Sequence, residues 1–348
     1  VHGEYKVAGG KLVVVDLEVV DGVIRDVVLS GDFFLEPDEA LGDMSDALEG
    51  LSAEASLGTL VEAVDRARGD AVMVGFDPPA VAHAVLRALR RSTAWHDHSF
   101  ELLEAGPQHP PMQMAIDEVV AQQVGQGLRG PTLRVWEWAS NAVIIGSFQS
   151  LSNEVDLAAA ARHDATVVRR ISGGGAMFVE PGNTITYSLY VPATLVEGLS
   201  FADSYAFLDA WVVRALRELG VEATYVPLND IASPQGKIGG AAQKRLASGV
   251  VLHHVTMSYD MDAAKMLDIL RIGREKLSDK GHASAGKRVD PIRSQTGMSR
   301  AAVVEAMLVH FKASYGLSTV TIDRATLAAA ATLAETKYTD DAWTARVP

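Results

Sequence analysis

Between residues 11 and 30 the apolar positions come as Leu12-Val13-Val14-Val15, then Val23-Ile24 and Val27-Val28-Leu29, on either side of Asp21-Gly22. Two β-prone runs flanking Asp-Gly predict a hairpin closed by a type I′ turn. Beyond it the spacing lengthens to helical. Pro37 sits where a helix can begin, with Leu41, Met44 and Leu48 on one face and Gly50 to end it. Ser56 is placed to N-cap a second helix carrying Leu57, Leu60, Val61 and Val64, with Gly69 beyond. Asp77-Pro78 opens a third, with Val81, Val85 and Leu89 in register. This pattern predicts a two-layer α+β unit over residues 1–90. Gly106-Pro107 and Pro110-Pro111 punctuate the stretch 91–111, which reads as a linker.

From residue 112 to the end of the chain at 348 the pattern starts afresh. Met112, Ile116, Val119 and Val120 predict a helix over about 112–125. Strands are expected at 132–137, 142–145, 166–170, 184–191, 223–226 and 250–259, with helices over 202–219 and after Ser299. Strands arriving in hairpin-like clusters, instead of alternating strictly with helices, favour an α+β fold with a mixed sheet.

Composition narrows the function classes. The 348 residues are 48% hydrophobic and 22% charged, an ordinary globular balance. Residues 1–98 hold 18 acidic against 8 basic side chains, so −10 of the total −13 lies there. That asymmetry fits two domains and argues against nucleic acid as a partner. No apolar run approaches a membrane span and the start carries no secretory pattern, so a cytoplasmic protein with no membrane association is expected. There is no cysteine, which removes disulfides, thiolate metal sites and any thiol nucleophile.

Three clusters carry chemistry. Arg169-Arg170-Ile171-Ser172-Gly173-Gly174-Gly175 ends a strand in a loop whose backbone can approach a ligand closely, with arginines supplying charge for an anion. It is neither a P-loop nor a dinucleotide fingerprint. Asn229-Asp230 precedes Lys237-Ile238-Gly239-Gly240: the carboxylate can hold Mg²⁺ through oxygen, and the lysine can serve a carboxylate and a phosphate together. His253-His254 lies inside an apolar strand.

In their order and spacing these clusters resemble the lipoate–protein ligase A family, within the biotin/lipoate ligase superfamily. The resemblance also rests on Leu133–Trp136 leading to Gly146-x-x-Gln149, on Gly182-Asn183, and on Lys276–Lys280 with Gly281 and Arg288-Val289. It implies a class II synthetase-like catalytic domain with a mixed sheet. It also implies an accessory α+β domain, which here comes first where the family usually places it last. Lys237 matches the catalytic lysine that contacts the lipoyl carboxylate and the α-phosphate of ATP. Asn229, Asp230, Lys280, Gly281 and Val289 match nucleotide-binding positions, with Asp230 at the Mg²⁺ position. Trp136, Arg170, Ser172, Gly173, Gly174, Gly175 and His253 match the lipoate pocket. The implied partners are lipoyl domains of 2-oxoacid dehydrogenase complexes and the H protein of glycine cleavage.

On this reading, ATP converts the unreactive carboxylate of lipoate into lipoyl-AMP, from which an acceptor lysine takes the acyl group. A lipoyltransferase using preformed lipoyl-AMP and a silent lipoate-binding module stay open. A biotin–protein ligase lacks support, since its arginine-glycine loop is absent, and a cysteine-dependent octanoyl transferase has no thiol to use.

Overall fold

The computed structural model describes residues 1–7, 9–271 and 289–348. The chain divides into two units, Val1–Ala94 with Thr194–Leu199, and Trp95–Ala193 with Ser200–Pro348.

In the first unit, β1 (His2–Lys6), β2 (Leu12–Val20) and β3 (Val23–Gly31) form an antiparallel sheet in that order. Asp21 and Gly22 both take positive φ, 53° and 76°, as the type I′ turn requires. Short strands β4 (Phe34–Glu36) and β5 (Val72–Val74) pair separately. Alternate residues Val13, Val15 and Leu17 bury one sheet face. They meet Met44 and Leu48 of α1 (Ala40–Leu48), Leu60 and Val64 of α2 (Leu57–Arg68), and Val81 and Val85 of α3 (Pro78–Ala88). Ser56 and Asp77 cap α2 and α3, accepting from the Thr59 and Ala80 amides at 3.1 and 2.9 Å. The strap Thr194–Leu199 joins this unit; the Thr93 amide donates to the Thr194 carbonyl at 2.9 Å.

The second unit is built on a mixed sheet. Its strands are β6 (Glu101–Glu104), β7 (Pro107–Gln108), β8 (Thr132–Trp138), β12 (Thr184–Pro192), β13 (Thr224–Val226), β14 (Asp230–Ser233), β15 (Gly236–Arg245), β16 (Val250–Ser258) and β17 (Ser318–Thr321). The order is β13-β14-β15-β16-β12-β8-β6-β17, antiparallel up to β8 and parallel at the β6 end, with β7 alongside β8. A smaller sheet sets β9 (Ala142–Ile145) between β10 (Thr166–Arg169) and β11 (Met177–Val179). Two long helices pack against the sheet: α4 (Pro110–Gly125) and α7 (Phe201–Glu218), which follows the short helices α5 (Leu151–Glu154) and α6 (Leu157–Arg162).

The strand and helix expectations of this unit hold to within a residue or two, but the linker does not. Residues 101–108 carry β6 and β7, with Leu102 and Leu103 buried, and α4 starts at Pro110. Two apolar residues between two glutamates are too few to show a strand's period, and the surrounding prolines and glycine suggest a loop. Among the described residues no helix is long and apolar enough to cross a membrane.

Candidate active site

Antiparallel register aligns Arg134 (β8), Ser188 (β12), His254 (β16) and Ala242 (β15) in one row, and Trp136, Thr186, Thr256 and Gly240 in the next. Residues two apart along a strand share a face, so both rows lie on one side of the sheet. His253 therefore points the other way. Its Nε2 meets Asp209 of α7 at 2.7 Å, and both side chains are fully buried. The histidine that reaches the site is the neighbour, His254. The expectation for His253 is corrected by strand alternation: a His-His pair always sends one ring to each face.

The glycine loop follows β10. Arg170 is buried and acts inward: its Nε and Nη2 donate to the Gly173 carbonyl at 3.1 and 2.6 Å, and Nη2 also to the Gly175 carbonyl at 2.9 Å. Burial pushes its pKa down to about 10. The guanidinium thus shapes the loop from within. Gly174 has φ 90°, and a Cβ there would lie 2.9 Å from Arg170 Nη2. The Gly146-x-x-Gln149 turn docks against it: Ser147 N–H donates to the Ser172 carbonyl at 2.8 Å, and a Cβ on Gly146 would lie 2.2 Å from the Gly174 carbonyl oxygen. Gln149 Oε1 accepts from the Gly146 amide at 2.8 Å, which accounts for the spacing of that motif.

Behind the loop runs a polar chain that the sequence did not reveal. Ser172 Oγ lies 2.7 Å from His254 Nε2, and His254 Nδ1 lies 2.9 Å from Oδ2 of Asp117, on α4. A carboxylate only accepts, so Nδ1 carries the imidazole proton and Nε2 accepts from the serine hydroxyl. Burial lowers the His254 pKa, with Asp117 opposing the shift. Oδ1 of Asp117 accepts from Ser188 Oγ at 2.8 Å and from the Tyr190 hydroxyl, with Arg134 Nη1 at 3.5 Å. Trp136, expected in the acyl pocket, is buried in the core behind it and donates Nε1–H to Ser188 Oγ at 3.0 Å. Asp117 and Glu118 interrupt the apolar run Met114-Ala115-Ile116 before Val119-Val120, and that buried-face interruption was the available signal.

Across the cavity, the β14–β15 pairing shifts register between Ile231 and Ala232. Such an irregularity can re-aim a side chain, and Lys237 Nζ comes within 3.1 Å of where a Cβ on Gly240 would lie, on the cavity side. Lys237 Nζ pairs with Asp230 Oδ1 at 2.7 Å, with both side chains partly exposed. Asn229 Nδ2 donates to the Ala241 carbonyl at 2.7 Å. Val289 bridges to Lys237 along the backbone, and the Asp290 amide donates to the Lys237 carbonyl at 2.8 Å. Lys280 and Gly281 lie outside the described residues.

Together Arg170, Gly175, Ala176, Met177, Asn229, Lys237, Gly240, Ala241, Ala242 and His254 line a cavity of about 90 Å³. A larger cleft of about 620 Å³, lined among others by Val135, Val304, Leu308 and Leu327, lies elsewhere. Converging cations and polar groups, not size, single out the smaller one. No cluster of three or more metal-ligating side chains exists among the described residues. The lone Asp230 carboxylate fits a Mg²⁺ that arrives with phosphate and water oxygens, since Mg²⁺ is commonly held by one or two carboxylates plus substrate.

The chain is similar to proteins that handle lipoyl and octanoyl groups. The octanoyltransferase LipM of Symbiobacterium thermophilum is 30% identical over 277 residues, covering 71% of this chain and 98% of the relative. The probable lipoate-protein ligase A of Mycoplasma pneumoniae is 27% identical over 219 residues, 63% of each chain. A bipartite archaeal lipoate protein ligase from Thermoplasma acidophilum, described with its E2 lipoyl domain, superposes with a TM-score of 0.63 at 27% identity, covering 72% of this chain and 98% of the other. The α+β fold with its mixed sheet is that of the lipoate ligases. The model of the lipoyl protein ligase A/B catalytic domain matches residues 109–312, a span running from the start of α4 past β16 and holding the whole polar chain, the glycine loop and Lys237. By that match and by the arrangement of its cavity, the chain belongs to the lipoyl protein ligase A/B catalytic domain family.

Proposed function

We propose that the protein is an ATP-dependent lipoate–protein ligase that forms lipoyl-AMP and passes the lipoyl group to a lysine of a lipoyl-domain protein. The observation that carries this reading is the position of Lys237 Nζ, beside Asp230 and over Gly240, at a cavity whose other wall is the glycine loop. Two anions, the lipoate carboxylate and the α-phosphate, must approach each other for adenylation. A fixed cation between them lowers that barrier electrostatically without forming a bond to either. The carboxylate oxygen attacks the α-phosphorus, pyrophosphate leaves, and the mixed anhydride retains AMP as a good leaving group for the acceptor amine. Mg²⁺ held through Asp230 would offset phosphate charge. Asn229 and Val289, with the loop that carries Lys280 and Gly281, would hold the nucleotide. Ser172–Gly175 would face the acyl carboxylate, and residues 1–90 would serve as the accessory domain.

A second reading is transfer of an octanoyl or lipoyl group that arrives already activated, without ATP. Relatives named octanoyltransferase favour it. The absence of cysteine rules out a thiol nucleophile, so such transfer would need another group.

The test is the mass of a purified lipoyl domain from a 2-oxoacid dehydrogenase complex, or of a glycine cleavage H protein, incubated with this protein. A gain of one lipoyl group that requires both ATP and free lipoate supports the ligase. A gain from lipoyl-AMP or an octanoyl thioester, with none from ATP and the free acid, supports the transferase.

A further inference from the structure

We propose that Asp117, His254 and Ser172 form a proton relay that takes the proton from the acceptor lysine as its nitrogen attacks the activated acyl carbon. The inference rests on the acyl transfer common to both readings above, and it supplies the base that neither Lys237 nor Asp230 provides. The geometry is a carboxylate oriented against Nδ1 at 2.9 Å and a hydroxyl donating to Nε2 at 2.7 Å. That is the arrangement in which imidazole accepts a proton through a hydroxyl while the carboxylate stabilises the imidazolium. His254 lines the cavity beside Gly175 and Lys237, while Ser172 is buried next to it and its Oγ also accepts from Arg170 Nε at 3.1 Å. Asp117 is locked for this role by Ser188, Tyr190 and Arg134.

The step balances simply. The amine nitrogen bonds to the carbonyl carbon and the acyl–oxygen bond to AMP, or the acyl–sulfur bond of a thioester, breaks with its electron pair on the leaving group. An amine proton passes to Ser172 Oγ as the serine proton moves to His254 Nε2. The imidazolium then faces the Asp117 carboxylate and releases its proton to the leaving group or to solvent.

The charged and titratable groups around His254 are Asp117 and, next to it, Tyr190 and Arg134; Arg170 at the loop; Lys237 across the cavity; and His253 on the opposite face. Arg170, His253 and burial disfavour the imidazolium, while Asp117 favours it. The net shift is downward, so the relay stays neutral and able to accept a proton at neutral pH. Its contribution is lost as pH falls through that lowered value.

The experiment uses the full chain with preformed lipoyl-AMP and a purified lipoyl domain, comparing wild type with His254→Gln and Asp117→Asn. Adenylation is followed separately as lipoate-dependent pyrophosphate release, and melting curves confirm folding. His254→Gln is expected to slow transfer on the order of a hundredfold at neutral pH, considerably more than it slows adenylation. The ratio of wild-type to His254→Gln transfer rates is expected to shrink as pH is lowered through the imidazole's range. Asp117→Asn, if folded, should follow the same pattern; if it unfolds, the glutamine variant alone decides. Equal loss in both half-reactions, or a rate ratio independent of pH, would overturn the relay and leave a structural chain. A trapped lipoyl ester on Ser172 would overturn it in favour of a serine nucleophile. Wild type that fails to transfer from any activated donor would instead refute the underlying function.

Discussion

The two faces of β16 hold two histidine–carboxylate pairs from adjacent residues, and only one of them borders the candidate cavity. His253 and Asp209 are sealed between the sheet and α7, each fully buried. His253 Nδ1 and Asp209 Oδ2 find no partner among the described residues. The Tyr187 hydroxyl donates to Asp209 at 3.4 Å, and the Tyr205 ring packs on His253, so neither side chain of the pair lines the cavity. His254 and Asp117, on the other face, lie 2.9 Å apart, but here the second ring nitrogen meets Ser172 and the ring itself lines the cavity. The lesson is that a buried His–Asp contact says little about function until its far nitrogen is followed. On one face that nitrogen is an orphan among the described residues, and on the other it meets the glycine loop.

The sharpest way to test this division is to perturb each face and ask which currency the damage appears in. On the cavity face, Lys237→Ala removes the proposed charge partner of the adenylation transition state. The expected loss is about 3 kcal/mol or more, at least a hundredfold in pyrophosphate release, with an unchanged melting temperature. On the sealed face, Asp209→Ala leaves His253 and the Tyr187 hydroxyl unpaired. It should destabilise the fold by about 2 kcal/mol, read as a lower denaturant midpoint, while kcat/KM of the folded protein stays near wild type. An activity loss larger than the stability loss would put the two faces on the same footing.

Gly174→Val probes how closely the loop meets the acyl group. Strain at φ 90° and the clash with Arg170 predict a raised KM for lipoate, by roughly tenfold, for about 1–2 kcal/mol of strain. A lower melting temperature with an unchanged KM would make the loop a plain turn. The smallest effect is expected from Asp230→Asn. It should weaken the Mg²⁺ dependence of adenylation more than it weakens use of supplied lipoyl-AMP, and equal loss in both assays would assign Asp230 to building the cavity.

Much of this was legible from residue patterns. The Asp21-Gly22 turn, the Ser56 and Asp77 caps and the long apolar strands each have a local cause, and each stands where its cause lies. The order of the glycine loop, Asn229-Asp230 and Lys237 likewise brought three segments to one cavity. What escaped depends on tertiary pairing. The face taken by His253 and His254 is set by register with β12 and β15, which no strand carries alone. Arg170 turns inward because its loop offers it carbonyls, and Trp136 because Ser188 offers it an acceptor. Asp117 comes from a helix 137 residues before His254 and is only visible once α4 packs on the sheet.

The central claim is that this chain activates a free carboxylic acid. It is tested most directly by pyrophosphate release from ATP and Mg²⁺ with no acceptor protein present. The account predicts release only when lipoate or octanoate is added, accompanied by an enzyme-bound acyl-AMP and abolished in Lys237→Ala. No release with either acid, from protein that still acylates a lipoyl domain when given an activated donor, would contradict it.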